Sequence, residues 1–125
     1  MSSQSPKLSF VIPAYNEELL LPRTLASLKE ALAAVPVEAE TIVVDNNSSD
    51  RTAQLAKDCG ATKVVFEPVN NIGRARNAGA KAASGEILVF IDADTCMSPA
   101  LLAELLQALS KGNVCAGGAR LSFDA

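Results

Sequence analysis

Apolar positions along the chain alternate between two rhythms, short unbroken runs and stripes at helical spacing. Residues 8–13, LSFVIP, form a β-type run ended by Pro13. Leu21, Leu25, Leu28 and Leu32 then recur on one face of a helix of about three to four turns, with Pro22 in its first turn and Pro36 closing it. ETIVVD (40–45) predicts a second strand. The polar cluster NNSSD (46–50) supplies caps for a helix over 50–59, and Gly60 suits the left-handed position that ends it. KVVFE (63–67) is a third strand, followed by a small-residue helix over 73–85 whose Ala75, Ala78, Gly79 and Ala82 share a face able to lie close on a sheet. EILVFID (86–92) is apolar on successive positions, which predicts a strand buried on both faces. Ser98-Pro99 starts a last helix with Leu102, Leu105, Leu106 and Leu109 as its buried stripe. NVCAGGARLSF (113–123) predicts a further strand, bent at Gly117-Gly118.

Strands alternating with helices predict an α/β fold, a three-layer α/β/α sandwich with a mainly parallel sheet. We expect a flexible N-terminus over 1–7 and one domain over 8–125. The chain stops at Ala125 as an additional strand gets under way, so an open sheet edge, and a homodimer formed through it, are expected. No internal repeat or low-complexity tract interrupts the pattern.

Composition narrows the chemistry. Of 125 residues 49% are hydrophobic and 20% charged, enough for a real core in one domain. A net charge of −3 argues against nucleic acid as a partner, so any anionic ligand must be met locally. The absence of histidine removes Ser-His and Cys-His nucleophile pairs and imidazole-ligated zinc. Cys59, Cys96 and Cys115 are too few for a four-thiolate site and odd in number for a disulfide framework. They read as free thiols in a reducing compartment, and a cytoplasmic location is expected. The sequence shows neither a leader-like N-terminus nor the roughly 18 apolar residues of a membrane span. Acid–base or metal chemistry must rest on carboxylates.

In an open parallel sheet, ligands bind beyond the carboxyl ends of the strands, and the polar clusters PAYNEE, DNNSSD, NNIGRARN and DADT all fall there. Asp92 and Asp94 stand two positions apart, so on an extended chain both face one ligand. Two hard oxygen donors suit Mg2+ or Mn2+, which a diphosphate would complete; a turn in which Asp94 leads and Asp92 caps an amide is the competing reading. A D-x-D-x-T phosphatase ranks low, because Cys96 stands where the threonine belongs. Asp45 ends the second strand, and PAYNEE lacks the glycine-rich turn that NAD or FAD binding needs. Its carboxylate would accept from the N–H groups of uracil or guanine, or open a turn, the role favoured for Asn46 to Asp50. Glu17 suits the start of the first helix, and Tyr15 a stacked base or the sheet edge. Arg74 and Arg76 open a helix at the end where its dipole disfavours cations, which points to anion binding by at least one; Arg76 equally suits a solvated surface. Asn77 would bond loop backbone.

Together VIPAYNEE, VVDNNSSD, NNIGRARNAGAKAASGE and VFIDADT resemble the nucleotide-binding half of family-2 glycosyltransferases with the GT-A fold, over roughly residues 8–123. The resemblance implies that Pro13, Ala14, Tyr15 and Glu17 line a nucleotide pocket, that Asp45 reads the base and that Arg74 sits nearby. It implies that Asp92 and Asp94 hold Mg2+ or Mn2+ on the diphosphate of a UDP- or GDP-sugar, with Ala93 beside the ligand. The implied reaction is transfer of the sugar, with inversion, to the hydroxyl of an unspecified saccharide, lipid or other acceptor. Family members carry the general base and acceptor site after the D-x-D; this chain ends 31 residues after Asp94 and holds no E-D or Q-x-x-R-W segment. No acid is an obvious base, so donor binding is expected of it before turnover. A non-catalytic nucleotide-sugar-binding or assembly module is the alternative. A nucleotidyltransferase ranks below both, since it would want a glycine-rich basic loop after the first strand.

Overall fold

The computed structural model describes residues 7–110. Of the N-terminus expected to be flexible only Lys7 is included, and the expected strand over 113–123, with the dimer edge assigned to it, lies outside the described residues. The elements run β1 (Leu8–Ala14), α1 (Leu21–Ala34), β2 (Ala39–Asp45), α2 (Thr52–Asp58), β3 (Lys63–Phe66), α3 (Ile72–Ala82), β4 (Ile87–Phe90) and α4 (Pro99–Ser110). All described strand pairs are parallel, in the order β3-β2-β1-β4. The chain therefore steps outward through β2 and β3 and then crosses back over β1 to place β4.

That reversal assigns the helices to faces, because crossovers of one hand put helices on opposite sides when the direction changes. Phe10, Ile12, Val43 and Val89 pack with Leu21, Leu25 and Leu28 of α1, Ala56 of α2 and Leu102 and Leu105 of α4. Val11, Ile42 and Val44, pointing the other way along the same strands, pack with Ala75 of α3. Each fully buried leucine of the first cluster contributes roughly 1.5–3 kcal/mol.

The small-residue face does what its composition predicts. Gly79 is buried, and a Cβ there would overlap Val11 Cγ1 and stand 3.0 Å from Val44 Cγ2, so α3 lies directly on the sheet. At the end of α2 Gly60 takes φ +88°. Its N–H donates to Lys57 O and that of Ala61 to Ala56 O, both at 3.1 Å, which satisfies carbonyls the helix leaves open. Ser98 Oγ accepts from Leu101 N at 3.1 Å and caps α4.

Several boundaries differ from expectation. β1 continues through Pro13, which pairs in register with Val44. Asn46 N donates to Ala14 O, so Ala14's ladder groups face β2 and Pro13's face the other side, where the β4 pairing has ended at Val11–Phe90. A proline there removes no ladder bond. α3 ends at Ala82 and not Gly85. β4 stops at Phe90 and is not buried on both faces: only Val89 is buried, because β4 is paired on one side alone among the described residues. Glu17 does not cap α1 with its side chain; the helix starts at Leu21, and Glu17 offers its backbone carbonyl to Leu20 and Leu21 N–H.

Candidate functional site

The strand order reverses at β1. The loops after β1, β2 and β4 lead to helices on one face and the loop after β3 leads to α3 on the other, and a crevice opens among them at the carboxyl ends. A cleft of about 370 Å³ lies there, lined by Pro13, Ala14, Tyr15, Glu17, Asn46, Asn70, Ile72, Asp92 and Asp94. Its walls are the loops after β1, β2, β3 and β4.

The first two loops are zipped together by side chains acting on backbone. Asn16 N donates to Ser48 Oγ at 2.9 Å, and Asn16 Oδ1 accepts from Ser49 N at 2.8 Å. Glu17 N donates to Thr52 Oγ1 at 2.9 Å and Glu18 N to Asp50 Oδ2 at 3.2 Å, while Glu18 Oε1 accepts from Arg51 N at 2.9 Å. Asn16 and Asn47 adopt φ of +52° and +63°, a conformation asparagine tolerates better than most residues. The cluster NNSSD is thus chiefly a clasp on the β1–α1 loop. Burial raises the Asp50 carboxyl, but hydrogen bonds from the Thr52 hydroxyl and amide and from Glu18 N–H outweigh it and hold the pKa below the ordinary value.

The DADT segment is a turn, not an extended strand end: Thr95 N donates to Asp92 O at 3.0 Å. Asp92 leads the turn, where the sequence suggested Asp94. The turn is bolted to α1, since Ala93 O accepts from Thr24 Oγ1 at 2.6 Å in a buried contact and Met97 N donates to Ser27 Oγ at 2.9 Å. Ala93 and Thr95 are buried, while Asp92 and Asp94 are exposed and line the cleft.

Negative charge accumulates around this cleft. The Glu17 carboxyl is raised above its ordinary value, first by burial and then by the charges of Asp94, Asp50 and Asp92. The ion pairs among the described residues are Lys63–Glu40 and Arg74–Glu67, neither of which neutralises the cleft acids. Asp92 and Asp94 therefore fit a hard divalent cation. No group of three or more acids or thiols suited to a metal occurs among the described residues, so a cation there would draw most of its ligands from water or a bound diphosphate.

Of the residues read from the sequence, Pro13, Ala14, Tyr15, Glu17, Asp92 and Asp94 come together in this cleft. Ala93 lies beneath it as part of the turn. Asp45 is buried at the end of β2, not on the lining; its Oδ1 accepts from Ser48 N at 2.9 Å, an Asx-type turn. Arg74 is exposed, 3.5 Å from Glu67 Oε2, and borders a separate cleft of about 530 Å³ with Val65, Asn77 and Lys81. Arg76 stands over the Phe90 ring at 5.8 Å, so it is a packed arginine and not a solvated one. Asn46, Asn70 and Ile72 line the cleft without having been singled out as ligand contacts. Their signal was present only as membership of the strand-end clusters DNNSSD and NNIGRARN.

The chain belongs to glycosyl transferase family 2, whose family profile matches residues 9–125. An uncharacterized glycosyltransferase of Mycobacterium bovis is 42% identical over 105 residues, covering 84% of this chain and 44% of the relative. The crystal structure of glucosyl-3-phosphoglycerate synthase from Mycobacterium tuberculosis with Mn2+, uridine diphosphate and glucosyl-3-phosphoglycerate is 34% identical. It superposes with a TM-score of 0.70 over 83% of this chain and 39% of that one. S. aureus TarS in complex with UDP-GlcNAc matches with a TM-score of 0.71 at 29% identity, covering 86% of this chain and 32% of that one. The parallel sheet flanked by helices is the GT-A fold of these enzymes. The chain spans less than half the length of these relatives.

Proposed function

We propose that this chain forms the donor-binding part of an inverting, metal-assisted glycosyltransferase that moves a sugar from a UDP- or GDP-sugar to an acceptor hydroxyl. The observation that carries the reading is the cleft at the carboxyl ends of the sheet, which gathers Tyr15 and Glu17 with Asp92 and Asp94, neither of them ion-paired among the described residues. Relatives solved with uridine diphosphate and Mn2+, or with UDP-GlcNAc, support it.

Each residue then has a task. Tyr15, half exposed on the cleft, offers a ring face for the base. Asp45 stands off the cleft lining, so to read the base it would have to present the carboxylate oxygen not bonded to Ser48 N, which would accept from N3–H of uracil or N1–H of guanine. Asp92 and Asp94 would hold Mg2+ or Mn2+, which when bound supplies Lewis-acid stabilisation for the charge gathering on the departing diphosphate. Thr24, by fixing the Ala93 carbonyl, keeps the two carboxylates at a constant spacing. In the reaction the acceptor oxygen bonds to the anomeric carbon, the bond to the diphosphate breaks with its electron pair, and the acceptor proton passes to a base. We assign that base to no described residue. Arg74 would reach the nucleotide only by leaving Glu67. Free Cys59 and Cys96 support a reducing, cytoplasmic setting, and no helix among the described residues is long and apolar enough to cross a membrane.

Calorimetric titration of the chain with UDP and GDP in the presence of Mn2+ tests the donor site. Saturable binding is expected with at least one nucleotide, weakened about tenfold or more by Asp94→Ala, the loss of one ligand to the ion. Failure of both nucleotides to bind in Mn2+ overturns the proposal. Binding without donor hydrolysis or transfer to any acceptor would mark a non-catalytic module.

A further inference from the structure

We propose that Asn46 is the positioning residue of the nucleotide pocket: its carboxamide latches the 67–71 loop to the end of β2 and so holds Asn70 and Ile72 on the cleft wall. What the pocket holds rests on the donor-binding reading above; the latch rests on hydrogen bonds alone. Asn46 is 5% exposed. Its Nδ2 donates to Glu67 O at 3.0 Å and to Val69 O at 2.6 Å, and its Oδ1 accepts from Asn71 N at 3.0 Å. Its backbone carbonyl accepts from Asn70 Nδ2 at 3.1 Å, and its N–H donates to Ala14 O at 2.9 Å. Two carbonyls and one N–H converge on the side chain, so only an amide in this orientation serves all three. Asn46 joins the ends of β1 and β2 to a loop that has no regular structure of its own.

The neighbours complete the latch. Asn47 Nδ2 donates to Pro68 O at 3.1 Å, and Glu67 Oε2 accepts from Val69 N at 3.0 Å. Asn71 Oδ1 accepts from Arg74 N at 3.0 Å, which starts α3 at a fixed point. β2 stands between β3 and β1 in the sheet, so the loops carrying Tyr15 and Ile72 rise on either side of Asn46. Both side chains are about half exposed, at 50% and 55%, and both line the cleft. The separation of Tyr15 and Ile72 on the cleft depends on where the loop is held.

Asn46→Asp tests this with almost no change in shape: it turns the two donors into acceptors that face two carbonyls. In the full chain with Mn2+, UDP or GDP affinity is expected to fall about tenfold or more. Mn2+ binding without nucleotide, followed by electron paramagnetic resonance, is expected to stay unchanged, because Asp92 and Asp94 sit on a separate turn held by α1. Amide exchange at Asn71 should accelerate while the β1–β2 ladder stays protected. Unchanged nucleotide affinity, or loss of metal and nucleotide binding together, overturns the proposal. Should the wild-type chain bind neither nucleotide, the donor reading fails and the exchange rate at Asn71 alone decides the latch. Asn46→Ala removes the latch without adding charge; if both variants lose the wild-type circular dichroism, Asn46 serves global stability and the proposal falls.

Discussion

At the scale of the residue, the cleft is built by side chains of one chemical kind doing different work. Asn16, Asn46 and Asn71 spend their amides on backbone, and Asp50 spends its carboxylate the same way, while Asp92 and Asp94 are left facing solvent. Spacing shows that polar groups gather at strand ends, but it does not show which of them are already satisfied. Asp92 and Asp94 were readable because an acid pair closes an apolar run. Asn46 was not, because its partners lie 21 to 25 positions away, on a loop whose path no local pattern records. Tyr15 is free of this ambiguity, being half exposed with its ring on the cleft. Tyr15→Ala should therefore weaken nucleotide binding by about 1–3 kcal/mol, the worth of a base–aromatic stack, and leave unfolding nearly unchanged. Tyr15→Phe should keep most of the affinity. Titration of the three proteins with one nucleotide checks this, and an alanine variant that binds as well as wild type removes Tyr15 from the pocket.

At the scale of the element, α3 shows how close contact depends on what is missing. Its glycine lets the helix axis approach Val11 and Val44 with no side chain between. Gly79→Ala would improve intrinsic helix propensity by about 1 kcal/mol. It would also drive a methyl into the branched side chain of Val11, and overpacking of this kind costs roughly 1–3 kcal/mol or more. The packing term should win, so the variant should unfold at lower urea than wild type; a rise in the midpoint would show that α3 can ride outward freely. The face that causes this was readable, since Ala75, Ala78, Gly79 and Ala82 fall at helical spacing. So were four strands, four helices and the Gly60 stop. The ends of two strands differ from the sequence reading for physical reasons. β1 runs on through Pro13 because the N–H that proline lacks would face away from β2. β4 stops early because an apolar run does not distinguish a paired residue from one buried just past the ladder. Ile91 is buried and still donates to Val11 O at 3.1 Å, yet the turn begins at the next residue.

At the scale of the whole molecule, the acids at the two ends of the parallel sheet have opposite fates. The carboxyl ends carry Asp92 and Asp94, without an ion-pair partner among the described residues, and the amino ends carry Glu40, buried and hydrogen-bonded on both oxygens. Glu40 Oε2 accepts from Ser9 Oγ and from Ser84 N, each at 2.6 Å, and from Ser84 Oγ at 3.1 Å; Oε1 faces Lys63 Nζ at 3.3 Å. One side chain thereby ties β1, β2, β3 and the segment before β4. Burial pushes its carboxyl up, but the bonds from Ser9, Ser84 and Lys63 outweigh burial and lower the pKa from 4.5 to about 2. A pKa depressed by folding means that the folded state favours the ionised form. The stabilisation is complete above the unfolded value and is lost as pH falls from 4.5 through about 2. Its size is on the order of 3 kcal/mol. Glu40→Gln should therefore unfold at lower urea than wild type near neutral pH, with the gap closing as the pH is taken down through that interval. Nucleotide affinity at neutral pH should stay the same, because Glu40 lies at the end of the sheet away from the cleft. Urea unfolding of both proteins across the acid range checks it. A gap that stays constant with pH would show that Glu40 acts through its shape and not through its charge.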